Sequence, residues 1–158
     1  MTTRIGSGYD VHAFTRDRPL VLGGVTIPFE YGLAGHSDAD TVIHAVVDAL
    51  LGAAALGDIG THFPSHDTRW KDQPSSVFLD YTYDLLQQQA WHIGNIDATI
   101  VAEHPRMTPH VQAMRAHLAE HLHLSIEQVS IKAKTTDGLG FAGRSEGIAC
   151  YAVALIER

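Results

Sequence analysis

The chain has 158 residues, 45% of them hydrophobic, enough to bury one core and too few for two comfortable ones, so a single domain over residues 1–158 is expected. A formal net charge of -7 without a Lys/Arg stripe argues against nucleic acid as a partner, and the lack of a long apolar run argues against a membrane span. MTTRIGSGYDVH has neither a basic leader nor the apolar stretch of a signal peptide, so a cytoplasmic location is expected, and the one cysteine, Cys150, reads as a buried structural thiol that leaves no disulfide within the chain.

Residues 4–14, RIGSGYDVHAF, alternate loosely and suit a strand whose glycines allow close backbone approach. LVLGGVTIPF at 20–29 reads as a hairpin around Gly23-Gly24. Apolar residues at 42, 43, 46, 47, 50, 51 and 54 recur at helical spacing up to about Leu56, with Ser37 or Asp40 as the capping residue. The polar, glycine- and proline-punctuated stretch 57–74 is expected to be an ordered loop, followed by a helix over 75–89 and a strand over 93–103. Pro109 fits the first turn of a helix running to about His121. Ser125 and Gln128 make a capping-box pattern, VSIKAKTT at 129–136 alternates as a strand, and GIACYAVALIE at 147–157 closes as a near-continuous apolar strand. Most of the 11 histidines, among them His92, His117, His121 and His123, lie among polar residues or on helix faces and read as surface or partly buried side chains. The predicted fold is α/β, a mixed sheet with helices packed on one face.

On a strand, Asp10 and His12 project from one face while Val11 points to the other, so the pair can share one ion. A plain hydrogen-bonded Asp–His pair is the alternative. Two nitrogens, one carboxylate and an open position describe a catalytic zinc site, which requires a second histidine. His44, one turn into the helix and beside its apolar set, is placed to supply it. Asp48, at i+4 from His44, is expected either to orient a ligand through a hydrogen bond or to face solvent. His36 and Ser37 lie just before the helix, where anions are favoured, or serve only as loop and cap. Gly57-Asp58-Ile59-Gly60 suits contacts to substrate hydroxyls and is also ordinary turn composition. Lys132, Lys134, Thr135 and Thr136 lead into DGLGFAGRSEG, whose glycines would let amides approach phosphate oxygens; a solvated hairpin is the alternative.

YDVHAF, GLAGHSDADTVIHAVVDALLGAAALGDIGTHFP, TIVAEHPRMTPH and KAKTTDGLGFAGRSEGIAC together resemble the 2-C-methyl-D-erythritol 2,4-cyclodiphosphate synthases, across essentially the whole chain. The resemblance implies an enzyme of the non-mevalonate route to isoprenoid precursors. Its substrate would be 4-diphosphocytidyl-2-C-methyl-D-erythritol 2-phosphate, closed to a cyclic diphosphate with loss of CMP. It implies Asp10, His12 and His44 as ligands of one Zn2+ per subunit, with Asp10 and His12 also bordering substrate. His36 and Thr135 would stabilise the transition state, with Ser37 near the substrate. Asp58, Ile59, Gly60, Phe63, Pro64, Ser65, His66 and Asp67 would surround the methylerythritol. Ala102, Glu103, His104, Pro105, Arg106, Met107 and Thr108 would receive the cytidine. Lys134, Thr136 and Asp137 would lie at the diphosphate, and Phe141 and Arg144 near a trimer's central channel or the phosphates.

The resemblance also implies a homotrimer with intersubunit active sites, and Mg2+ or Mn2+ bridging the diphosphate. Asp137 stands where the family commonly has Glu, one methylene shorter; Ser65 stands where an acidic residue is frequent, and Lys134 replaces a common threonine. Two other functions fit the same residues. One is a zinc hydrolase with Asp58 as base. The other is a noncatalytic metal- or nucleotide-binding module.

Overall fold

A computed structural model describes residues 1–158. Strand β1, Thr3–Thr15, lies antiparallel to the closing strand β7, Gly147–Glu157, and β7 pairs antiparallel on its other side with β5, His92–Val101. The strand β6, Val129–Lys134, runs parallel to β5, so the five-stranded sheet is mixed, in the order β4-β1-β7-β5-β6. Here β4 is Gly32–Leu33, two residues too short for any periodicity to show. The hairpin of β2, Leu20–Leu22, and β3, Val25–Ile27, turns through Gly23 and Gly24, both at positive φ as a tight hairpin turn demands.

Helix α1, Thr41–Ala53, lies on one face of this sheet, and nearly every side chain in it is buried. Two glycines on β1 explain how closely it lies. A Cβ on Gly6 would stand 2.0 Å from the Ala49 carbonyl oxygen, and one on Gly8 would stand 1.9 Å from that of Ala45. Ala45, Ala49 and Ala53 recur every fourth residue and form the small face that meets them. Helix α3, Ser76–Gln88, covers α1, and α4, Val111–His121, packs on β6 and α3. Thirty-seven buried residues form one continuous core between these helices and the sheet. On the opposite face, β1 and β7 present an apolar surface, with Ile5, Tyr9, Val11, Tyr151 and Val153 all exposed, while β5 and β6 carry the Asp97–Lys132 ion pair.

Several boundaries differ from the sequence reading. Helix α1 stops at Ala53, because Ala55 takes a positive φ. The stretch 57–74 holds a four-residue helix α2, Ile59–His62, and a 3-10 turn at Thr68–Trp70, capped by Asp58 and Asp67. Strand β5 ends at Val101 and β6 at Lys134, with Ala102 N–H donating to the Lys134 carbonyl at 3.0 Å as the last link between them. Pro109 sits in a 3-10 turn, and α4 begins only at Val111. DGLGFAGRSEG is no hairpin: it contains the short helix α5, Gly140–Gly143.

The cap of α1 is Asp40, not Ser37. Its carboxylate is fully buried and accepts from Ile43 N at 3.0 Å, Gly23 N at 2.8 Å and Gly24 N at 2.7 Å, so one side chain joins helix start to hairpin turn. Burial first, then the nearby Asp38 charge, pushes its pKa up to about 6 against the pull of these amides. The folded state therefore holds the Asp40 proton more tightly than the unfolded chain. The part of the stability linked to this proton is complete below 3.8 and is lost as pH rises through about 6, while the three amide bonds remain. Asp40→Ala leaves three amides without an acceptor and is expected to cost roughly 3–5 kcal/mol in urea denaturation. A loss below about 1 kcal/mol would refute this account of the cap.

Candidate metal centre and its cavity

On β1 the face that carries Gly6 and Gly8 continues through Asp10 and His12, just where α1 begins and His44 precedes Ala45. The close approach that the glycines permit therefore brings the helix histidine onto the strand pair. Asp10 Oδ2 lies 2.9 Å from His12 Nε2 and 3.3 Å from His44 Nδ1, and those two ring nitrogens are 3.4 Å apart. One ligand atom from each residue falls within 4.8 Å of the others.

Each ring is held from behind. His12 Nδ1 is 2.7 Å from the Ala34 carbonyl oxygen, which can only accept, so that nitrogen carries a proton and the neutral ring presents its bare Nε2 to the cluster. His44 Nε2 is 2.9 Å from Ser75 Oγ and 3.2 Å from Ser37 Oγ, which turns its Nδ1 inward. Asp10 Oδ2 is buried and receives no hydrogen bond of good geometry. Burial alone would raise the Asp10 pKa, but the two imidazoles outweigh it and hold the carboxyl below its ordinary value. His12 shows the converse: burial lowers it, and the Asp10 contact raises it by more. Three acceptor atoms turned toward one point repel one another unless a cation lies among them, and this donor set fits a divalent ion of borderline softness.

The triad forms the floor of a cavity of about 560 Å³. His36, Ser37, Ile59, Gly60, Phe63, Pro64, Ser65 and His66 from the predicted set line it, together with Trp70 and Phe78, which carried no sequence signal. Asp58 and Asp67, predicted beside them, do not line the cavity and are engaged by near neighbours in sequence. Asp58 accepts from Thr61 N at 2.8 Å and Thr61 Oγ1 at 2.7 Å, and these bonds hold its pKa low. The Arg69 guanidinium and backbone amide bring Asp67 down to about 2. Asp48 orients no ligand and does not face solvent freely: its Oδ1 accepts from Ile59 N at 2.8 Å, fastening α2 to α1. The helical spacing placed it on the His44 side correctly, and the long-range amide competed for it.

The remaining predicted residues form a second group that does not line this cavity. Glu103 Oε1 accepts from Thr136 N at 2.8 Å and Thr136 Oγ1 at 3.1 Å, joining the segment 102–108 to 134–137. Ala102 and Met107 are buried in the core, while His104, Arg106, Thr108, Lys134, Thr135 and Asp137 are exposed beside Pro105. Asp137 Oδ1 accepts from Thr135 Oγ1 at 3.3 Å. Phe141 is half-buried in α5, and Arg144 pairs with Glu146 at 2.9 Å. Both groups lie toward the same end of the sheet, since Asp10 and Ile100 both stand opposite Cys150 from either side of β7.

The sequence reading also missed Arg18. Its guanidinium donates to the Gly35 carbonyl at 2.7 Å and to the Ser37 carbonyl, while Asp72 N donates to the His36 carbonyl at 3.0 Å. The carbonyls of His36 and of its two neighbours are thus held by residues far away in sequence.

The YgbB family model matches residues 3–157. The 2-C-methyl-D-erythritol 2,4-cyclodiphosphate synthase of Thioalkalivibrio sulfidiphilus is 58% identical over 154 residues, covering 98% of this chain and 96% of that protein. The protein of the same name from Thiobacillus denitrificans is 54% identical over 155 residues, covering 98% and 97%. Among solved structures, the IspF CDP complex of Plasmodium falciparum is similar with a TM-score of 0.86 at 34% identity, covering 98% of this chain and 95% of that one. The bifunctional IspDF of Campylobacter jejuni gives a TM-score of 0.95 at 39% identity; 98% of this chain is covered, and it spans 42% of that longer protein.

Proposed function

The chain belongs to the YgbB family, that of the 2-C-methyl-D-erythritol 2,4-cyclodiphosphate synthases, and on that premise we propose that it converts 4-diphosphocytidyl-2-C-methyl-D-erythritol 2-phosphate to the 2,4-cyclodiphosphate and CMP, in the cytoplasm, as one domain over residues 1–158. The observation that carries this reading is the Asp10–His12–His44 cluster at the floor of a cavity walled by the predicted methylerythritol residues. An oxygen of the 2-phosphate attacks the phosphorus nearer the erythritol. The bond from that phosphorus to the CMP oxygen breaks, and CMP leaves with the electron pair. No water is consumed and no protein nucleophile is needed, so the chain's task is alignment and charge neutralisation.

Asp10, His12 and His44 would hold Zn2+, which supplies Lewis-acid polarisation of the diphosphate. His36, whose own carbonyl and those of its two neighbours are tied down, and Thr135 donate to the oxygens that gain charge. Ile59, Gly60 and the 63–67 segment enclose the methylerythritol. Segment 102–108, with Arg106 as its cation, takes the cytidine, and Lys134 to Asp137 border the phosphates, where a second cation, Mg2+ or Mn2+, would neutralise charge and the Asp137 carboxylate, one methylene shorter than Glu, would reach it through water. Because that second group lies outside the cavity, we infer that a neighbouring copy supplies it in a homotrimer. The bare apolar face of β1 and β7, where the Tyr9 and Tyr151 ring centroids lie 4.8 Å apart, supports such an assembly.

Product analysis in ¹⁸O-water tests the reading. Release of CMP with a cyclic product free of solvent oxygen is expected. An open phosphate containing ¹⁸O would instead establish the hydrolase, and absence of turnover the binding module.

A further inference from the structure

We propose that Ser75 and Asp38 are positioning residues for the metal ligand His44, forming a carboxylate–hydroxyl–imidazole chain that keeps Nδ1 as the bare nitrogen facing Asp10 and His12. The inference rests on the metal reading above. Ser75 occupies the capping position of α3, where a serine hydroxyl ordinarily accepts from a first-turn amide, yet here its side chain makes no such bond. The residue is fully buried, and its hydroxyl is turned away from the helix into the space between Asp38 and His44.

The direction of each hydrogen bond follows from proton counting. Ser75 Oγ donates to Asp38 Oδ1, and Ser75 N donates to Asp38 Oδ2 at 2.9 Å, so both carboxylate oxygens grip one residue. A hydroxyl has a single proton, and this one is spent on Asp38. Toward His44 Nε2, at 2.9 Å, Ser75 Oγ can therefore only accept. Nε2 must carry the ring's proton, and a neutral imidazole then leaves Nδ1 as a lone pair, 3.3 Å from Asp10 Oδ2. The Ala34 carbonyl does for His12 what the Ser75 hydroxyl does for His44, so two unlike partners present two rings in the same sense. Ser37 Oγ, at 3.2 Å from His44 Nε2, is the longer contact and is itself the acceptor for Ala39 N at 3.4 Å.

A purely structural role for Ser75 would be to tie α3 to the 35–40 loop. The backbone N–H to Asp38 already makes that tie and survives loss of the hydroxyl. The test is therefore Ser75→Ala, with Zn2+ affinity of the metal-free protein measured by competition with a chromophoric chelator and the visible spectrum of the Co2+ form recorded alongside. Affinity is expected to fall about 10- to 100-fold, with shifted Co2+ bands, because a ring free to flip or change tautomer is a poorer ligand. Asp38→Asn, which keeps an acceptor but removes the charge, is expected to give a smaller loss in the same direction, and it carries the test if Ser75→Ala does not fold. Parent-like affinity and an unshifted Co2+ spectrum overturn the proposal, whatever happens to Tm. If the parent itself binds neither ion, the metal reading fails and this proposal fails with it.

Discussion

His44→Ala is expected to abolish retention of Zn2+ through dialysis and to lower kcat/KM for the cytidyl diphosphate substrate by about 10³-fold or more, the equivalent of several kcal/mol of lost Lewis-acid stabilisation. The expectation follows from the ligand count. Removing His44 leaves one nitrogen and one carboxylate, a pair that does not build a tetrahedral zinc site. The helix itself should survive, since Val42, Ile43, Val46, Val47, Leu50 and Leu51 keep α1 in the core and Asp40 still caps it. Far-ultraviolet circular dichroism should therefore match the parent while metal content and CMP release both fall. CMP release that persists at the parent's rate in a zinc-free His44→Ala protein would sink the metal's role in the reaction.

The parts of this site that the sequence made legible are those governed by local periodicity. Asp10 and His12 share a face because a strand repeats every two residues, and His44 is found by its place in a helix whose apolar positions repeat every three or four. What converges on those residues from a distance had no local signal. Ser75 reads as an ordinary helix start, Arg18 as one more charge beside a hairpin, and Asp48 as a polar residue on the His44 side of the helix. Their partners, respectively His44 and Asp38, the Gly35 and Ser37 carbonyls, and Ile59 N, are chosen by the packed fold. The same limit applies to α5, where four residues cannot display a helical period, and to β4, whose two residues pair with Phe14 and Thr15. Segments 102–108 and 134–137 stand out as motifs through the family resemblance, but motifs are silent on distance. In a single chain they are tied to each other through Glu103 and Thr136 and stand off the metal cavity.

The glycines offer a sharper test of how the fold makes the site, because the same substitution should have opposite signs at two positions, one under helix α1 and one on its exposed side. Gly8→Ala would place its Cβ 1.9 Å from the Ala45 carbonyl oxygen and 2.8 Å from Ala49 N, both of them helix backbone that cannot rotate aside. Helix α1 must then lift from β1, and overpacking of this kind is expected to cost about 3 kcal/mol, lowering Tm by roughly 6–12 °C. Because His44 is the residue immediately before Ala45, the lift also draws Nδ1 away from Asp10 and His12, so Zn2+ affinity should fall in step with stability. Gly52→Ala, on the exposed side of the same helix, would meet nothing closer than the Ser7 carbonyl oxygen at 3.8 Å. There the alanine only replaces a poor helix former by a good one, and stability should rise by up to about 1 kcal/mol with metal affinity unchanged. Thermal unfolding and chelator competition on both variants decide the matter. If Gly8→Ala kept the parent's Tm and affinity, the close approach of α1 to β1 would not be what assembles the triad.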